Sequence, residues 1–196
     1  MTPKIVILGS GTAGMMTALA FASKGIAVSL LEKAESTSFP NDERTTAFTQ
    51  SSIRILEHFG IWDSLKDYAG EINDIYVIDN KSPKMLHLEN DPEAKKGFIV
   101  PNMDIKNQLF DAITKNSKID LIKPCNYNQP ALFGDKMKIS TDKEEILADL
   151  VIVCEGRNNV VSDLFELAVE KSYGQSAIVF VAEHEKDHEV QLWSIS

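Results

Sequence analysis

A glycine cluster between two apolar segments near the start of the chain most constrains the fold. The first segment, IVIL at Ile5–Leu8, has the pattern of a short buried strand and runs directly into the GxGxxG sequence of residues 9–14. The next residues are rich in alanine, methionine and leucine and stop at Gly25, which predicts a helix with a C-terminal glycine. A second apolar segment, IAVSLLE, ends in Glu32. This order predicts a strand, a crossover helix and a parallel strand.

The spacing of this unit is that of a dinucleotide-binding fingerprint. Gly9 permits a tight turn, Gly11 lets backbone amides approach a pyrophosphate, and Gly14 lets the helix pack closely on the strand. Glu32 follows Gly14 by 18 residues and would accept hydrogen bonds from ribose hydroxyls, which favours FAD or NAD over NADP. The predicted cofactor-binding residues here are Gly9, Gly11, Thr12, Ala13, Gly14, Glu32 and Lys33.

Charge and cysteine usage exclude several function classes. The formal net charge of -9 argues against sequence-independent binding of nucleic acid, which needs excess lysine and arginine. The two cysteines, Cys125 and Cys154, lack metal-ligand spacing, and no metal site is expected at His184 and His188, which lie in a polar segment. The apolar segment ADLVIVC predicts one buried strand that ends in Cys154 as a small core residue. No apolar stretch approaches the ~20 residues of a membrane span, so we expect a cytoplasmic protein, with peripheral contact at the inner membrane left open.

A polar loop followed by an amphipathic segment comes next along the chain. SSIRILEHFGIWDSL, residues 51–65, carries apolar residues near helical spacing and predicts one helix. Arg44 lies in the loop before it, together with Asp42 and Thr45. A loop arginine near a pyrophosphate site could pair with phosphate, and the pattern equally fits a solvated surface arginine.

Five segments together resemble one enzyme family. They are similar to the FAD-dependent aromatic hydroxylases of ubiquinone biosynthesis (UbiH type), within the p-hydroxybenzoate hydroxylase-like flavoprotein monooxygenases. They occur in the family's order and span nearly the whole chain. The segments are DERTTAF, SSIRILEHFGIWDSL, GFIVPNMDIKNQLFDAI, ADLVIVCEGRNNVVSDLF and SYGQSAIVFVAEHEKDHEV.

The resemblance implies an activity and further binding residues. Members of this family bind FAD, take electrons from NAD(P)H, and use O₂ to hydroxylate a phenolic ring that carries a polyprenyl tail. It implies that Arg44, Lys106, Glu155 and Gly156 contact the cofactor. No side chain is assigned a catalytic role.

The sequence departs from the family at three places. The family's Ala-Asp-Gly motif reads Cys154-Glu155-Gly156 here, and Asn159 and Ser162 stand where the family has its following serine and arginine. Lys106 stands where relatives often have arginine, and lysine cannot replace its bidentate geometry. The family's second FAD motif does not occur after residue 160. We therefore expect a shortened hydroxylase, inactive alone, that self-associates or needs a complementing C-terminal polypeptide.

The predicted fold class is α/β, with a Rossmann-like FAD-binding three-layer domain interleaved with a partial β-rich substrate lobe. Residues 1–70 and 101–170 are assigned to the FAD-binding domain, and residues 71–100 and 171–196 to the lobe. A helix is predicted over residues 104–115, and QSAIVFVAE is predicted to be a strand of the lobe. Two alternatives stay open: a non-catalytic nucleotide-binding remnant or subunit of a split flavoprotein, and an NAD-dependent Rossmann dehydrogenase. The long loop after residue 34 argues against the dehydrogenase, because its chain usually continues strand, helix, strand.

Overall fold

The computed structural model describes residues 3–33, 42, 44–72, 74–78, 85–89, 97–156, 174, 185 and 191–195. The chain divides into two compact units. The first comprises Met1–Pro40 with Lys106–Ala177, and the second comprises Asn41–Ile105 with Ile178–Ser196. Residues 41–70, which were assigned to the FAD-binding domain from the sequence, lie in the second unit. The functional domains assigned from the sequence stay a prediction.

A parallel sheet forms the centre of the first unit. Its strands are β1 (Ile5–Leu8), β2 (Val28–Leu31), β8 (Ile119–Ile122) and β12 (Leu150–Val153). They run in the order β12-β1-β2-β8, and each neighbouring pair is parallel. Helix α1 (Thr12–Ser23) connects β1 to β2, so the predicted strand–helix–strand opening is confirmed. Because the strands are parallel, their carboxyl ends meet at one edge of the sheet.

An antiparallel sheet covers the core of the same unit. Strands β9 (Ala131–Phe133), β10 (Lys136–Ser140) and β11 (Glu145–Ala148) pair in the order β11-β10-β9. Side chains of both sheets contribute to one buried cluster, which is how the antiparallel sheet is anchored. The cluster consists of Val6, Leu8, Leu31, Cys125, Tyr127, Ile139, Ile146 and Ala148.

The segment ADLVIVC, expected to be one buried strand ending in a core cysteine, is two strands in different sheets. The chain leaves β11 at Ala148 and enters β12 at Leu150. Asp149 makes the transition, because its backbone N–H donates to the Lys4 carbonyl while its carboxylate accepts from the Lys4 N–H at 2.7 Å and from Lys136 Nζ at 2.8 Å. Cys154, just beyond β12, is half-buried rather than buried.

The second unit contains two further sheets. Strands β3 (Thr45–Phe48), β7 (Gly97–Pro101) and β4 (Gly70–Ile72) form an antiparallel sheet in the order β3-β7-β4. In the other sheet β5 (Asp74–Ile78) pairs antiparallel with β6 (Met85–Glu89) and parallel with β13 (Gln191–Ile195). Thr45 therefore begins a strand instead of belonging to the predicted polar loop. The expected strand QSAIVFVAE and the positions of Asn159, Ser162, His184 and His188 lie outside the described residues.

The helix predicted over residues 51–65 is interrupted. Helix α2 (Gln50–His58) ends before Gly60, whose φ of +68° is a left-handed conformation that glycine adopts easily, and α3 (Trp62–Leu65) follows. The Ile61 N–H donates to the Leu56 carbonyl at 2.9 Å and closes the turn. Helix α4 (Asn102–Thr114) begins two residues earlier than predicted. Within the described part of the chain, no helix is long and apolar enough to cross a membrane.

Candidate dinucleotide-binding site

Two of the three fingerprint glycines are required by the packing of the chain itself. Gly9 has a φ of +94°, and an ideal Cβ there would lie 2.7 Å from the Cys154 carbonyl oxygen. A Cβ on Gly14 would lie 1.9 Å from the Gly9 carbonyl oxygen. The turn after β1 is also fixed by the Gly9 N–H, which donates to the Leu31 carbonyl at 2.8 Å. Neither position accepts a side chain without displacement of backbone.

Gly11 differs from its two neighbours in the fingerprint. Its φ of -65° suits any residue, and a Cβ there would meet nothing within 4 Å. Gly11 borders a cavity, so a side chain would project into space that the protein leaves empty. The packing of the chain therefore does not require a glycine at this position.

The N-terminus of α1 lies in the glycine loop of residues 9–14, and no side chain caps its first backbone N–H groups. Gly11 is the N-cap residue, and the first turn contains no acidic residue. The first N–H groups of a helix have no partner within the helix and carry a partial positive charge. Thr12 and Ala13, which contribute to this turn, are exposed. The geometry fits binding of a phosphate.

The Glu32 carboxylate is fixed at the end of β2. Its Oε2 atom accepts a hydrogen bond from the Ser10 backbone N–H at 2.8 Å and another from the Ser10 hydroxyl at 2.7 Å. Ser10 is 6% exposed, so the donors that orient the carboxylate are themselves held in place. Sequence reasoning identified Glu32 and missed Ser10, although it occupies the variable position between the first two glycines.

Lys33, Tyr127 and Glu155 form a connected group beside these residues. Glu155 Oε1 accepts from Lys33 Nζ and from the Tyr127 hydroxyl, each at 2.9 Å, and the Glu155 side chain is only 5% exposed. Lys33 Nζ also lies 4.3 Å from the centroid of the Tyr127 ring. Burial, and then the hydrogen bond to Glu155, raise the pKa of the Tyr127 phenol. Tyr127 was not predicted, because its approach to Glu155 depends on a contact between distant segments.

These groups converge on one cavity of about 290 Å³ at the carboxyl edge of the parallel sheet. It brings together most of the residues predicted in the first unit and adds Tyr127 and Cys154. Burial raises the pKa of the Cys154 thiol above its usual value. The cavity is lined by Gly9, Gly11, Glu32, Lys33, Tyr127, Cys154, Glu155 and Gly156.

Arg44 lies in the second unit, where a buried carboxylate orients it. Its Nε and one terminal nitrogen donate to the two oxygens of Asp42 at 2.6 and 2.8 Å, a bidentate pair that raises the pKa of the guanidinium. The Asp42 side chain is 8% exposed and also accepts from Asn102 Nδ2 at 3.2 Å, while the Arg44 side chain is 61% exposed. Lys106, the remaining predicted residue, is half-buried on α4.

Comparison with known proteins gives one family and a consistent set of relatives. The profile of a family described as FAD binding domain matches residues 2–193. The ubiquinone hydroxylase UbiL of Rhodospirillum rubrum is 28% identical over 192 residues, which cover 94% of this chain and 44% of the relative. The 3-demethoxyubiquinol 3-hydroxylase of Escherichia coli is 26% identical, with 97% of this chain and 51% of the relative covered. The chain thus spans about half the length of these curated relatives.

Solved structures agree at the level of the fold. The flavin-dependent monooxygenase PieE, solved with FAD and substrate, superposes with a TM-score of 0.72 at 15% identity, covering 88% of this chain and 33% of that protein. The p-nitrophenol 4-monooxygenase PnpA of Pseudomonas putida gives a TM-score of 0.68 at 18% identity, covering 82% of this chain and 42% of that protein.

Proposed function

Because the chain belongs to the FAD binding domain family, whose profile matches residues 2–193, we propose that it binds FAD as part of a flavin-dependent aromatic hydroxylase. This membership confirms the predicted family and its FAD cofactor. The related folds confirm the predicted α/β fold class. The named relatives favour hydroxylation in ubiquinone biosynthesis over other monooxygenase reactions.

The open space at Gly11 is the observation that supports the cofactor assignment most directly. The pyrophosphate of FAD would approach the backbone at Gly11, Thr12 and Ala13, where the α1 N-terminus supplies donors and partial positive charge. The Glu32 carboxylate, oriented by Ser10, would accept hydrogen bonds from the adenosine ribose. The residues present therefore fit the adenosine diphosphate part of the cofactor.

FAD would supply the redox chemistry of ring hydroxylation, with NAD(P)H as the electron donor. The protein residues assigned here bind and orient the cofactor. Pairing of Arg44 with a phosphate oxygen stays a prediction of the sequence, and the structure shows its largely exposed side chain bound to Asp42. The substrate proposed is a phenol with a polyprenyl tail.

The reaction of the whole relatives needs more than the matched segment. Since that segment covers 44% and 51% of the two ubiquinone hydroxylases, we propose that hydroxylation requires the counterpart of their unmatched part, on the same or a complementing polypeptide. Self-association and peripheral contact with the inner membrane belong to the same proposal. Mixing the chain with the C-terminal part of a relative and measuring NAD(P)H oxidation with a phenol tests this requirement.

The cofactor assignment is tested by titrating the purified chain with FAD and following the quenching of flavin fluorescence. We expect saturable binding, loss of binding in Gly11→Val, and weak competition by NAD. Absence of binding by the parent chain would contradict the proposal. Binding without turnover, even with the complementing polypeptide, would favour the non-catalytic nucleotide-binding alternative.

A further inference from the structure

The cavity at the glycine loop contains an unusual balance of charges. Among the described residues that line it, two are carboxylates, Glu32 and Glu155, and one is a cation, Lys33. Glu32 is proposed to accept hydrogen bonds from the ribose hydroxyls, whereas the fingerprint gives no function to the contact between Lys33 and Glu155.

Lys33 is placed where a cation would decide ribose specificity. It directly follows Glu32, and its side chain is 37% exposed at the cavity. In dinucleotide sites an acid at this strand end binds the ribose hydroxyls, and a nearby cation accommodates a 2′-phosphate. A lysine with a freely orienting ammonium group would therefore oppose the selectivity that Glu32 provides.

Glu155 prevents that orientation. Its Oε1 atom holds Lys33 Nζ at 2.9 Å, and the Tyr127 hydroxyl donates to the same oxygen at 2.9 Å. The Lys33 ammonium also lies over the Tyr127 ring at 4.3 Å, so it has favourable contacts on two sides. Because the Glu155 side chain is 5% exposed, water screens this pair less than it screens a surface pair.

We propose that Glu155 is a specificity-determining residue that neutralises Lys33 and so makes the site selective for an adenosine with an unphosphorylated ribose. The carboxylate acts through Lys33, with Tyr127 fixing its position. The proposal rests on the proposed function, because it requires the ribose of a bound nucleotide to meet Glu32.

The test compares two ligands that differ only in the 2′-phosphate: adenosine 5′-monophosphate and adenosine 2′,5′-bisphosphate. Their dissociation constants are measured by ligand-observed NMR for the parent chain, Glu155→Gln and Glu145→Gln. The last variant is a matched control, because Glu145 pairs with Lys138 at 3.0 Å in the antiparallel sheet, outside the cavity. Glutamine at 155 removes the charge but still offers Tyr127 an acceptor.

We expect the parent chain to bind the monophosphate more tightly than the bisphosphate. The dissociation constant of the bisphosphate divided by that of the monophosphate measures this selectivity. In Glu155→Gln this ratio should fall by about tenfold, because the ammonium group of Lys33 is released in a partly screened site. Glu145→Gln should leave the ratio unchanged. The double variant Lys33→Gln/Glu155→Gln should return to selectivity near that of the parent, since the released cation is then absent.

Failure of this inference can be distinguished from failure of the proposed function. If the parent chain binds FAD and the monophosphate but Glu155→Gln keeps the parent ratio, the specificity role is wrong and the FAD assignment stands. If the parent binds no adenosine ligand, both fail. Should Glu155→Gln fail to fold, Glu155→Asp withdraws the carboxylate from Lys33 by one methylene, and an unchanged ratio in that variant would equally overturn the proposal.

Discussion

The Gly9 carbonyl oxygen occupies the place where a side chain on residue 14 would begin, 1.9 Å from the ideal Cβ position of Gly14. The turn after β1 and the first turn of α1 thus pack too closely to admit a side chain at residue 14. This close packing makes the two glycines a single packing unit, and it separates them from Gly11, whose Cβ would meet nothing within 4 Å.

Gly14→Ala should therefore affect stability, whereas Gly11→Ala should affect FAD binding. Gly14→Ala should lower the free energy of unfolding by about 1–3 kcal/mol, because the methyl group overpacks against backbone. Gly11→Ala should keep near-parent stability and weaken FAD binding by at least about tenfold, because its methyl group occupies the pyrophosphate position. Urea unfolding and FAD titration of both variants check this, and a stable Gly14→Ala would contradict the packing assignment.

Ser10→Ala should weaken FAD binding without a large loss of stability. The variant keeps the backbone N–H that donates to Glu32 but removes the hydroxyl that donates at 2.7 Å. One lost hydrogen bond of about 1 kcal/mol corresponds to a roughly fivefold rise in the dissociation constant. Glu32→Gln should weaken binding further, and equal constants for Ser10→Ala and the parent would show that the hydroxyl does not orient the carboxylate.

Asp42→Ala should destabilise the chain by about 1–3 kcal/mol, because Asn102 loses the acceptor that a buried carboxylate provides. Asp63→Ala serves as the control: Asp63 also pairs with a cation, Lys66 at 3.0 Å, but its side chain is 85% exposed. Exposed pairs of this kind contribute little, so the control should change stability by less than about 0.5 kcal/mol. Chemical unfolding distinguishes the two, and equal effects would argue against a special role for Asp42.

Tyr127 should give the unfolding free energy a dependence on alkaline pH. Burial and the hydrogen bond to Glu155 raise the pKa of its phenol above the ordinary value of 10. The unfolded chain then releases a proton above pH ~10 that the folded chain retains, so stability is fully present below that pH and falls as the pH rises. The fall should be smaller in Tyr127→Phe, and identical pH profiles would exclude a buried neutral phenol.

Cys154 should react slowly with thiol reagents, and more slowly still when the cavity is filled. Burial raises the pKa of this thiol, which lowers the fraction of reactive thiolate at pH 8. Because Cys154 lines the cavity, bound FAD should protect it further. Peptide mass spectrometry after alkylation, with and without FAD, separates Cys154 from the buried Cys125. Alkylation of Cys154 as fast as that of free cysteine would contradict its partial burial at the cavity.

The sequence alone predicts the parts of the site that depend on the order of neighbouring strands and helices along the chain. The positions of Gly9, Gly11, Gly14 and Glu32 follow from one strand, one helix and the next strand, where turn geometry and helix termini leave few choices. The break at Gly60 was missed, because the apolar spacing on either side of it suits a single helix.

The part of the site that depends on distant segments could not be predicted in this way. Tyr127 and Glu155 are separated by 28 positions, and the transition at Asp149 is created by hydrogen bonds to Lys4 and Lys136. No periodicity in the sequence encodes such contacts. They arise only when the antiparallel sheet packs against β1 and β12.

The hydrogen bond between Tyr127 and Glu155 also closes a loop of chain that contains the whole of β9, β10 and β11. Local unfolding of that antiparallel sheet would therefore displace Tyr127 and Glu155 from the cavity. A ligand that binds only the intact cavity shifts this equilibrium towards the folded sheet. Amide protons in these strands would then exchange more slowly with solvent when nucleotide is bound, although none of these strands contributes a residue to the cavity wall. Hydrogen exchange in a sheet outside the site would thus report its occupancy.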